Sequence, residues 1–445
     1  MNILGISAFY HDSAACIIKD GKVVAAAQEE RFTRIKHDFH FPRKSIKFCL
    51  EKAGIGINDI DYVSFYEKPS LKFDRLYKTY LMNAPRGFSS FITAMPLWIK
   101  EKLWMGKEIR NELKYKGPII YPEHHQSHAA SAFFPSPFKQ AAVLTMDGVG
   151  EWATASIGYG HGNSIKILKE LQFPHSLGLL YSAFTYFLGF KVNSGEYKLM
   201  GLAPYGRHGS VEVEQYKKLI KEHLVDIKPD GSIWLDQKYF NYATGLRMVH
   251  DDAWLKLFGF PVRESEALLE QCHCDLGLAI QEITEEIVLL MAEEAKKLTG
   301  SKNVVLAGGV ALNCLANRLL GNFYENIWIM PNPGDAGSSI GAIAAHLGTK
   351  LKWEGPYLGH HIGGSAEYPG EQIVKSLLKD PIAAVAWGRA EFGPRALGNR
   401  TITCDPTHSE TYDIINDNIL IHNKYKKELI NNKIIKQQEN LLKII

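Results

Sequence analysis

The stretch ILGISAFYHDSAACIIKDGKVVAAAQ, residues 3–28, decides the fold of this chain, because it holds three short apolar runs in succession. The pair Asp20-Gly21 separates the second run from the third. An Asp-Gly pair between two β-prone runs is a strong hairpin signal, because a type I′ turn needs positive φ at both central residues. The chain is therefore predicted to begin with a three-stranded antiparallel meander.

The same arrangement returns near the middle of the chain. It consists of the runs AAVLTMDGVG (141–150), EWATASIGYG (151–160) and SIKILKEL (164–171). Two copies of one supersecondary unit indicate a duplicated fold. We therefore expect an α/β domain over residues 1–350 with two lobes, at about 1–140 and 141–350.

Helical and strand patterns alternate after the second meander. Apolar residues over 275–298 are spaced for one buried face of a helix, and NVVLA (303–307) is an apolar run typical of a buried strand. The pair Gly308-Gly309 then predicts a tight turn into a helix at about 311–320. Together these elements predict an α-β-α unit of a layered sheet.

The composition excludes several classes of protein. With 46% hydrophobic and 22% charged residues, the composition is that of an ordinary globular protein. A length of 445 residues indicates more than one domain. A formal charge of +3 gives no reason to expect a nucleic-acid partner. The sequence contains no signal-peptide pattern and no long apolar segment, and its six cysteines are scattered. We expect a cytoplasmic protein without membrane attachment.

A further unit is predicted to begin at about residue 356 and to extend to about 420. It includes a strand at IAAVAWG (382–388) and the loop RAEFGPRALGNR (389–400). Residues 421–445 are rich in Lys, Asn and Ile, and they contain no Gly, Ala, Val, Ser, Thr, Pro or Arg. This abrupt change favours an out-of-frame end, with a genuine helical tail as the alternative.

The segment PEHHQSHAASAFF (122–134) is the first candidate for chemistry. His124 and His128 are four residues apart, so on a helix both imidazoles face the same way and can reach one metal ion. Asp147 follows a predicted buried strand, and Asp335 stands before a predicted helix. Two imidazoles with two carboxylates suit Fe²⁺, Mn²⁺ or Zn²⁺. The alternatives are surface histidines, a turn aspartate and a helix N-cap.

Two glycine-rich stretches are candidates for nucleotide binding. In VLAGGVALNCLAN (305–317), Gly308 and Gly309 allow a phosphate or a planar ligand to approach the main chain, and Asn313 can hydrogen-bond a ribose or a base. In SGEYKLMGLAPYG (194–206), Lys198 can balance phosphate charge. The alternatives are an ordinary α/β turn and a surface loop.

Nine motifs in order along the chain carry a resemblance to a known family. They are FYHDSAACII, EERFTRIKHD, PEHHQSHAASAFF, MDGVGE, SLGLLYSAFT, GEYKLMGLAPYG, LAGGVALN, PGDAGSSIGA and EFGPRALGNR. The chain resembles the NodU/CmcH carbamoyltransferase family. The resemblance implies a duplicated actin/sugar-kinase/chaperone-ATPase-like (ribonuclease H-like) two-lobed α/β domain, followed by an incomplete YrdC-like α/β domain.

The resemblance also assigns roles to individual residues. It implies that the metal, expected to be iron, is held by His124, His128, Asp147 and Asp335. For the nucleotide it implies Gly178, Gly309 and Asn313, to which the residue patterns add Asp147, Lys198 and Gly308 as candidates. In the later domain Arg389 and Arg395 are candidates for phosphate binding. His11 and Asp12 are implied to face the acceptor.

The implied activity is ATP-dependent O-carbamoyl transfer. Carbamoyl adenylate would be made from ATP and carbamoyl phosphate, and its carbamoyl group would pass to a hydroxyl of a small-molecule or sugar acceptor. Because family members continue well past EFGPRALGNR, we expect this chain to bind metal and nucleotide without making carbamoyl adenylate by itself. The alternatives are a tRNA threonylcarbamoyl transferase-like enzyme and a nucleotide-binding remnant without catalysis.

Overall fold

Two sheets of five strands each form the two lobes of the unit Met1–Glu354. The computed structural model describes residues 1–100, 102–363 and 367–408. The first lobe contains β1 (Asn2–Ser7), β2 (Ala14–Lys19), β3 (Lys22–Gln28), α1 (Glu30–Thr33), α2 (Arg43–Ala53), β4 (Tyr62–Phe65), α3 (Pro69–Asn83), α4 (Phe88–Lys100), α5 (Met105–Leu113) and β5 (Ile119–Ile120).

The second lobe holds most of the remaining elements of this unit. They are α6 (His124–Phe133), β6 (Gln140–Met146), β7 (Ala153–His161), β8 (Ser164–Gln172), α7 (Leu177–Phe187), α8 (Glu196–Leu202), α9 (Val211–Leu219), β9 (Val225–Ile227), β10 (Ile233–Leu235), α10 (Asp251–Phe258), α11 (Gln271–Thr299), β11 (Asn303–Ala307), α12 (Cys314–Asn317) and β12 (Asn326–Ile329). The helix α13 (Ser338–Leu347) follows them.

The first meander is confirmed by its turn as well as by its strands. Asp20 and Gly21 have φ of 48° and 76°, the left-handed values that a type I′ turn requires. Strand β2 pairs antiparallel with both β1 and β3. The turn chemistry of two residues thus connects β2 and β3 as an antiparallel hairpin.

The two sheets share one topology. The first has the order β3-β2-β1-β4-β5, and the second has the equivalent order β8-β7-β6-β11-β12. In each sheet the first three strands are antiparallel neighbours, and the strand beyond them pairs parallel with the first. The repeat confirms the duplicated two-lobed α/β fold, in which each sheet has the strand order of ribonuclease H-like domains.

Two helices lie between the sheets. Helix α6 packs on β6, β7 and β11, α13 packs on β1, β2 and β4, and the two helices pack on each other. Glycines make this close approach possible: a Cβ on Gly341 would lie 1.9 Å from the carbonyl oxygen of Ser127, and one on Gly5 would lie 1.9 Å from that of Ser339. Each helix therefore carries residues of one lobe toward the other.

One predicted helix is interrupted. The expected helix at about 311–320 is instead a 3-10 turn at Gly309–Leu312, the short helix α12, and a second 3-10 turn at Arg318–Asn322. Asn313 has φ −77° and ψ 89°, outside the helical region, and its side chain accepts a hydrogen bond from the backbone N–H of Ala316. A capping asparagine thus starts a new helix where the apolar pattern predicted a continuous one.

A second unit begins at Gly355. It contains α14 (Gly370–Leu377), β13 (Ile382–Ala386) and β14 (Arg400–Cys404), and the two strands pair antiparallel. The predicted tail at 421–445 lies outside the described residues. In the part of the chain that the structure describes, no helix is both long and apolar enough to cross a membrane.

Candidate metal centre

The two histidines predicted to share a helix face do so. Helix α6 begins at His124, and the Nε2 atoms of His124 and His128 lie 3.0 Å apart. Both imidazoles are buried. His125 points elsewhere, with Nδ1 2.8 Å from the hydroxyl of Thr145.

Two carboxylates complete a cluster around these ring nitrogens. Asp147 directly follows β6, and its Oδ2 lies 3.2 Å from Nε2 of His124 and 3.8 Å from Nε2 of His128. Asp335 stands just before α13, and its Oδ1 lies 3.5 Å and 3.4 Å from the same two nitrogens. One ligand atom from each of the four side chains lies within 4.8 Å of the others.

The geometry of the cluster fits a divalent transition metal. A tetrahedral site with bonds of about 2.1 Å places its ligand atoms about 3.4 Å apart, and the ligand-atom distances given above fall on both sides of this value. Among the described residues, none donates a hydrogen bond to the buried Oδ1 of Asp335. A cation would satisfy that oxygen, and an imidazole-carboxylate donor set suits Fe²⁺, Mn²⁺ or Zn²⁺.

The charges of the cluster depend on one another. Burial by itself would lower the pKa of His124, but the carboxylates of Asp335 and Asp147 outweigh burial and raise it well above its usual value. Burial would raise the pKa of Asp147, but hydrogen bonds from the two ligand histidines hold it well below its usual range. Burial, together with its two histidine neighbours, lowers the pKa of His125 to about 3. The two carboxylates thus stabilise protonated imidazoles when no metal is bound, and a metal ion that binds there must displace these protons.

Several neighbouring groups hold the ligands in place. The backbone N–H of Gly309 donates to Oδ1 of Asp147 at 2.9 Å, and the hydroxyl of Ser338 lies 3.1 Å from Nδ1 of His128. Glu151 accepts the backbone N–H of His124 at 2.9 Å, which fixes the first turn of α6. Ser338 and Glu151 were not among the predicted site residues, although they lie in the motifs PGDAGSSIGA and MDGVGE.

His11 and Asp12 lie at the edge of this cluster. Nε2 of His11 is 3.6 Å from Oδ2 of Asp335, and its Nδ1 is 3.1 Å from Asp12. Oδ1 of Asp12 also lies 2.8 Å from Nδ1 of His37, which was not among the predicted site residues. Asp12 and His37 both have left-handed φ, 54° and 57°, a strained state that costs of order 1 kcal/mol or more each. Tertiary contacts must therefore support this loop.

Three of the predicted nucleotide glycines surround Asp147. Gly309 donates to its carboxylate, and a Cβ on Gly178 would lie 2.5 Å from its carbonyl oxygen. Gly308 has φ of +93°, and a Cβ there would lie 2.1 Å from the carbonyl oxygen of Met146. Main chain rather than side chain thus borders the metal cluster on this side.

The other predicted nucleotide residues of this unit lie on nearby helices. The side chain of Asn313 exchanges two hydrogen bonds with Gln281, at 3.0 and 3.1 Å. Gln281 accepts in addition from the hydroxyl of Tyr181 at 2.9 Å. Lys198 is half-buried on α8, which packs against α7 and α11. The polar network around Gln281 was not foreseen from the sequence.

The predicted phosphate-binding arginines lie in the second unit. The guanidinium of Arg389 donates to the carbonyl oxygens of Leu358 and Gly359, while Arg395 is exposed. Arg389 also lines a cavity of about 780 Å³ together with Tyr368 and other residues of this unit. These two hydrogen bonds join the side chain of Arg389 to the main chain at residues 358 and 359.

The chain matches models of a known protein family over most of its length. A model described as the carbamoyltransferase N-terminus matches residues 2–344, and one described as the carbamoyltransferase C-terminus matches 374–427. An uncharacterised protein of Synechocystis is 49% identical over 93% of this chain and 73% of its own length. Nodulation protein NolNO of Sinorhizobium fredii is 34% identical over 92% of this chain, which spans 60% of that protein.

The similarity to solved structures is more distant. Component A of (R)-2-hydroxyglutaryl-CoA dehydratase from Acidaminococcus fermentans covers 78% of this chain and 99% of its own, at 14% identity and a TM-score of 0.41. HypF of T. kodakarensis covers 78% of this chain and 48% of its own, at 14% identity and a TM-score of 0.39. The assignment of the fold therefore depends on the strand order of the two sheets.

Proposed function

Because the chain belongs to the carbamoyltransferase family, we propose that it transfers a carbamoyl group in an ATP-dependent reaction to a hydroxyl of a small-molecule or sugar acceptor. The donor is carbamoyl phosphate, and the intermediate is carbamoyl adenylate. Attack of the acceptor oxygen on the carbamoyl carbon breaks the bond to the adenylate phosphate, so AMP leaves and the hydroxyl proton must be taken up nearby.

The four-ligand cluster is the observation that supports this proposal most directly. In the proposed enzyme His124, His128, Asp147 and Asp335 hold one divalent metal, for which the family resemblance favours iron. A metal bound there would act as a Lewis acid that stabilises the negative charge of the leaving adenylate. The side chains come from three separate segments of the chain, so the ligand set exists only in the folded chain.

The nucleotide is proposed to bind beside this cluster. The backbone at Gly308 and Gly309 and the start of α7 at Gly178 both border Asp147, so phosphate in contact with this main chain would lie next to the metal ligands. Lys198 is proposed to balance the phosphate charge. Asn313 would reach the nucleotide by giving up one of its hydrogen bonds to Gln281.

His11 and Asp12 are proposed to serve the acceptor. Nδ1 of His11 faces Asp12, and the carboxylate favours the ring tautomer with its proton on Nδ1. Burial would lower the pKa of His11, but Asp335 and Asp12 raise it to about 9 and favour the protonated ring. A metal cation on Asp335 would oppose this effect and leave Nε2, on the side of Asp335, able to take the proton of an attacking hydroxyl. Oriented by Asp12, His11 is therefore the proposed general base.

Metal analysis and an activity assay test this proposal together. We expect the purified wild-type chain to contain a stoichiometric transition metal, and the variants His124→Ala and Asp335→Ala to contain none. His208→Ala is the control, because that histidine is exposed in the second lobe. With carbamoyl adenylate supplied and a panel of hydroxyl acceptors, AMP should form only when an acceptor gains a carbamoyl group, whereas ATP and carbamoyl phosphate without added adenylate should release no pyrophosphate. Equal metal content in all four proteins would contradict the proposed centre.

A further inference from the structure

A buried ion pair lies next to the metal cluster. Glu67 follows β4 and Lys72 lies on α3, and the Lys72 ammonium donates to Oε2 of Glu67 at 2.7 Å. Their side chains are only 1% and 7% exposed. Removing two charges from water costs several kcal/mol per ion, and a buried pair often contributes no net stability. The location of this pair is therefore better explained by function than by stability.

The carboxylate of Glu67 approaches His124 from the side opposite the cluster. Its Oε2 lies 3.6 Å from Nδ1 of His124, while Nε2 of the same ring faces the other ligands. Nδ1 is buried and has no hydrogen-bond partner among the described residues. At 3.6 Å the contact is longer than a hydrogen bond, so a small movement of either side chain would complete it.

A metal-binding imidazole needs this kind of partner. The ring must present a lone pair at Nε2, so its proton must be on Nδ1, and an acceptor at Nδ1 fixes both the tautomer and the ring orientation. For His128 the hydroxyl of Ser338 is in this position, 3.1 Å from Nδ1. For His124 the corresponding group is the Glu67 carboxylate.

Lys72 in turn is held by a second group. Its ammonium lies 3.2 Å from the centre of the Tyr10 ring, a cation-π contact in a buried setting. Tyr10 directly precedes His11, so the loop that carries the proposed general base also covers the lysine. The chain thus links Tyr10, Lys72, Glu67 and His124 in one continuous set of contacts.

We propose that Glu67 is a positioning residue that directs Nε2 of His124 toward the metal, and that Lys72 balances the buried charge of Glu67. This inference rests on the metal centre of the proposed function. It assigns a role in metal binding to two residues outside the four-ligand set.

The test measures binding of Co²⁺ alone to the full chain, by titration of its visible absorption. The variants are Glu67→Gln, Lys72→Met and the double variant with both changes. Lys78→Met is the control, because Lys78 lies on the same helix and is exposed. We expect Glu67→Gln to weaken Co²⁺ binding by about 10- to 100-fold, as is usual when the partner of a ligand histidine is lost. The control should bind like the wild type.

The double variant separates positioning from folding. Each single change leaves one buried charge unpaired and should lower the unfolding free energy, whereas the double change removes both charges and should restore it. We expect Co²⁺ affinity to remain low in the double variant even though stability recovers.

Two results would overturn the inference, and only the second would also reject the metal centre of the proposed function. Wild-type affinity in a stable double variant would refute the positioning role while leaving the metal centre intact. Absence of Co²⁺ binding by the wild type would refute the metal centre of the proposed function, and the positioning role with it.

Discussion

Replacing Gly341 by alanine should loosen the metal cluster without changing any ligand. Gly341 lies on α13 where this helix packs on α6, and a Cβ there would lie 1.9 Å from the carbonyl oxygen of Ser127 and 2.9 Å from Cβ of Ser131. Real Cβ atoms almost never approach another heavy atom within 3.0 Å, so the two backbones must move apart by more than 1 Å.

That movement acts directly on the ligands. His128 follows Ser127 on α6, and Asp335 stands just before α13, with Nε2 and Oδ1 now 3.4 Å apart. A displacement of about 1 Å in a preorganised site can cost about 10²-fold in function, and we expect a loss of this order in Co²⁺ affinity. Overpacking should also lower the unfolding free energy by about 1–3 kcal/mol.

The assay pairs Co²⁺ titration with urea unfolding. Gly321→Ala is the matched control, because a Cβ at Gly321 would have no heavy atom within 4 Å. The control should keep both its metal affinity and its unfolding midpoint. If Gly341→Ala bound Co²⁺ as tightly as the wild type and unfolded at the same urea concentration, close packing of α6 on α13 would not set the ligand spacing.

Two other predictions concern catalysis and stability. His11→Ala should lower turnover by about 10²- to 10⁴-fold with metal content unchanged, as measured by AMP release beside elemental analysis; loss of the metal would contradict a role confined to proton transfer. Asp275→Asn should lower the unfolding free energy by about 1–3 kcal/mol at pH 7, because the buried carboxylate accepts hydrogen bonds from Arg207 and Gln271. Burial would raise the pKa of Asp275, but the hydrogen bonds from Arg207 lower it below the unfolded-state value of about 3.9. The Asp275 carboxylate therefore stabilises the fold above about pH 3.9, and this stabilisation is lost as the pH falls toward the lower folded pKa. Urea unfolding of both proteins at several pH values should therefore show the difference shrinking in acid, and a difference that grew would refute the assignment.

Local signals in the sequence were sufficient for the elements nearest to the site. Asp20-Gly21 predicted the first hairpin, and the four-residue spacing of His124 and His128 predicted a shared helix face. Both signals act between residues close in the chain, where turn and helix geometry leave few alternatives. The interruption of the helix at Asn313 was missed, because an apolar pattern does not show which side chain will cap a backbone N–H.

The positions of the partners could not be predicted in the same way. Glu67 and Ser338 are far in sequence from the histidines that they approach, and although Ser338 lies in the motif PGDAGSSIGA, the sequence does not show that it meets His128. The hydrogen bonds from Arg389 to the carbonyl oxygens of Leu358 and Gly359 likewise join positions that are 31 and 30 residues apart. Such contacts depend on how distant segments pack.

The sequence by itself determined the duplicated meanders, the α/β class and the four side chains able to bind a metal. Only the tertiary structure decided that these side chains meet, because that requires two sheets to bury their faces against α6 and α13. Turn chemistry and helix periodicity are fixed by neighbouring residues, but the approach of α6 to α13 depends on glycines such as Gly341 meeting the main chain of another segment. The candidate metal site therefore arises from the packing of α6 on α13.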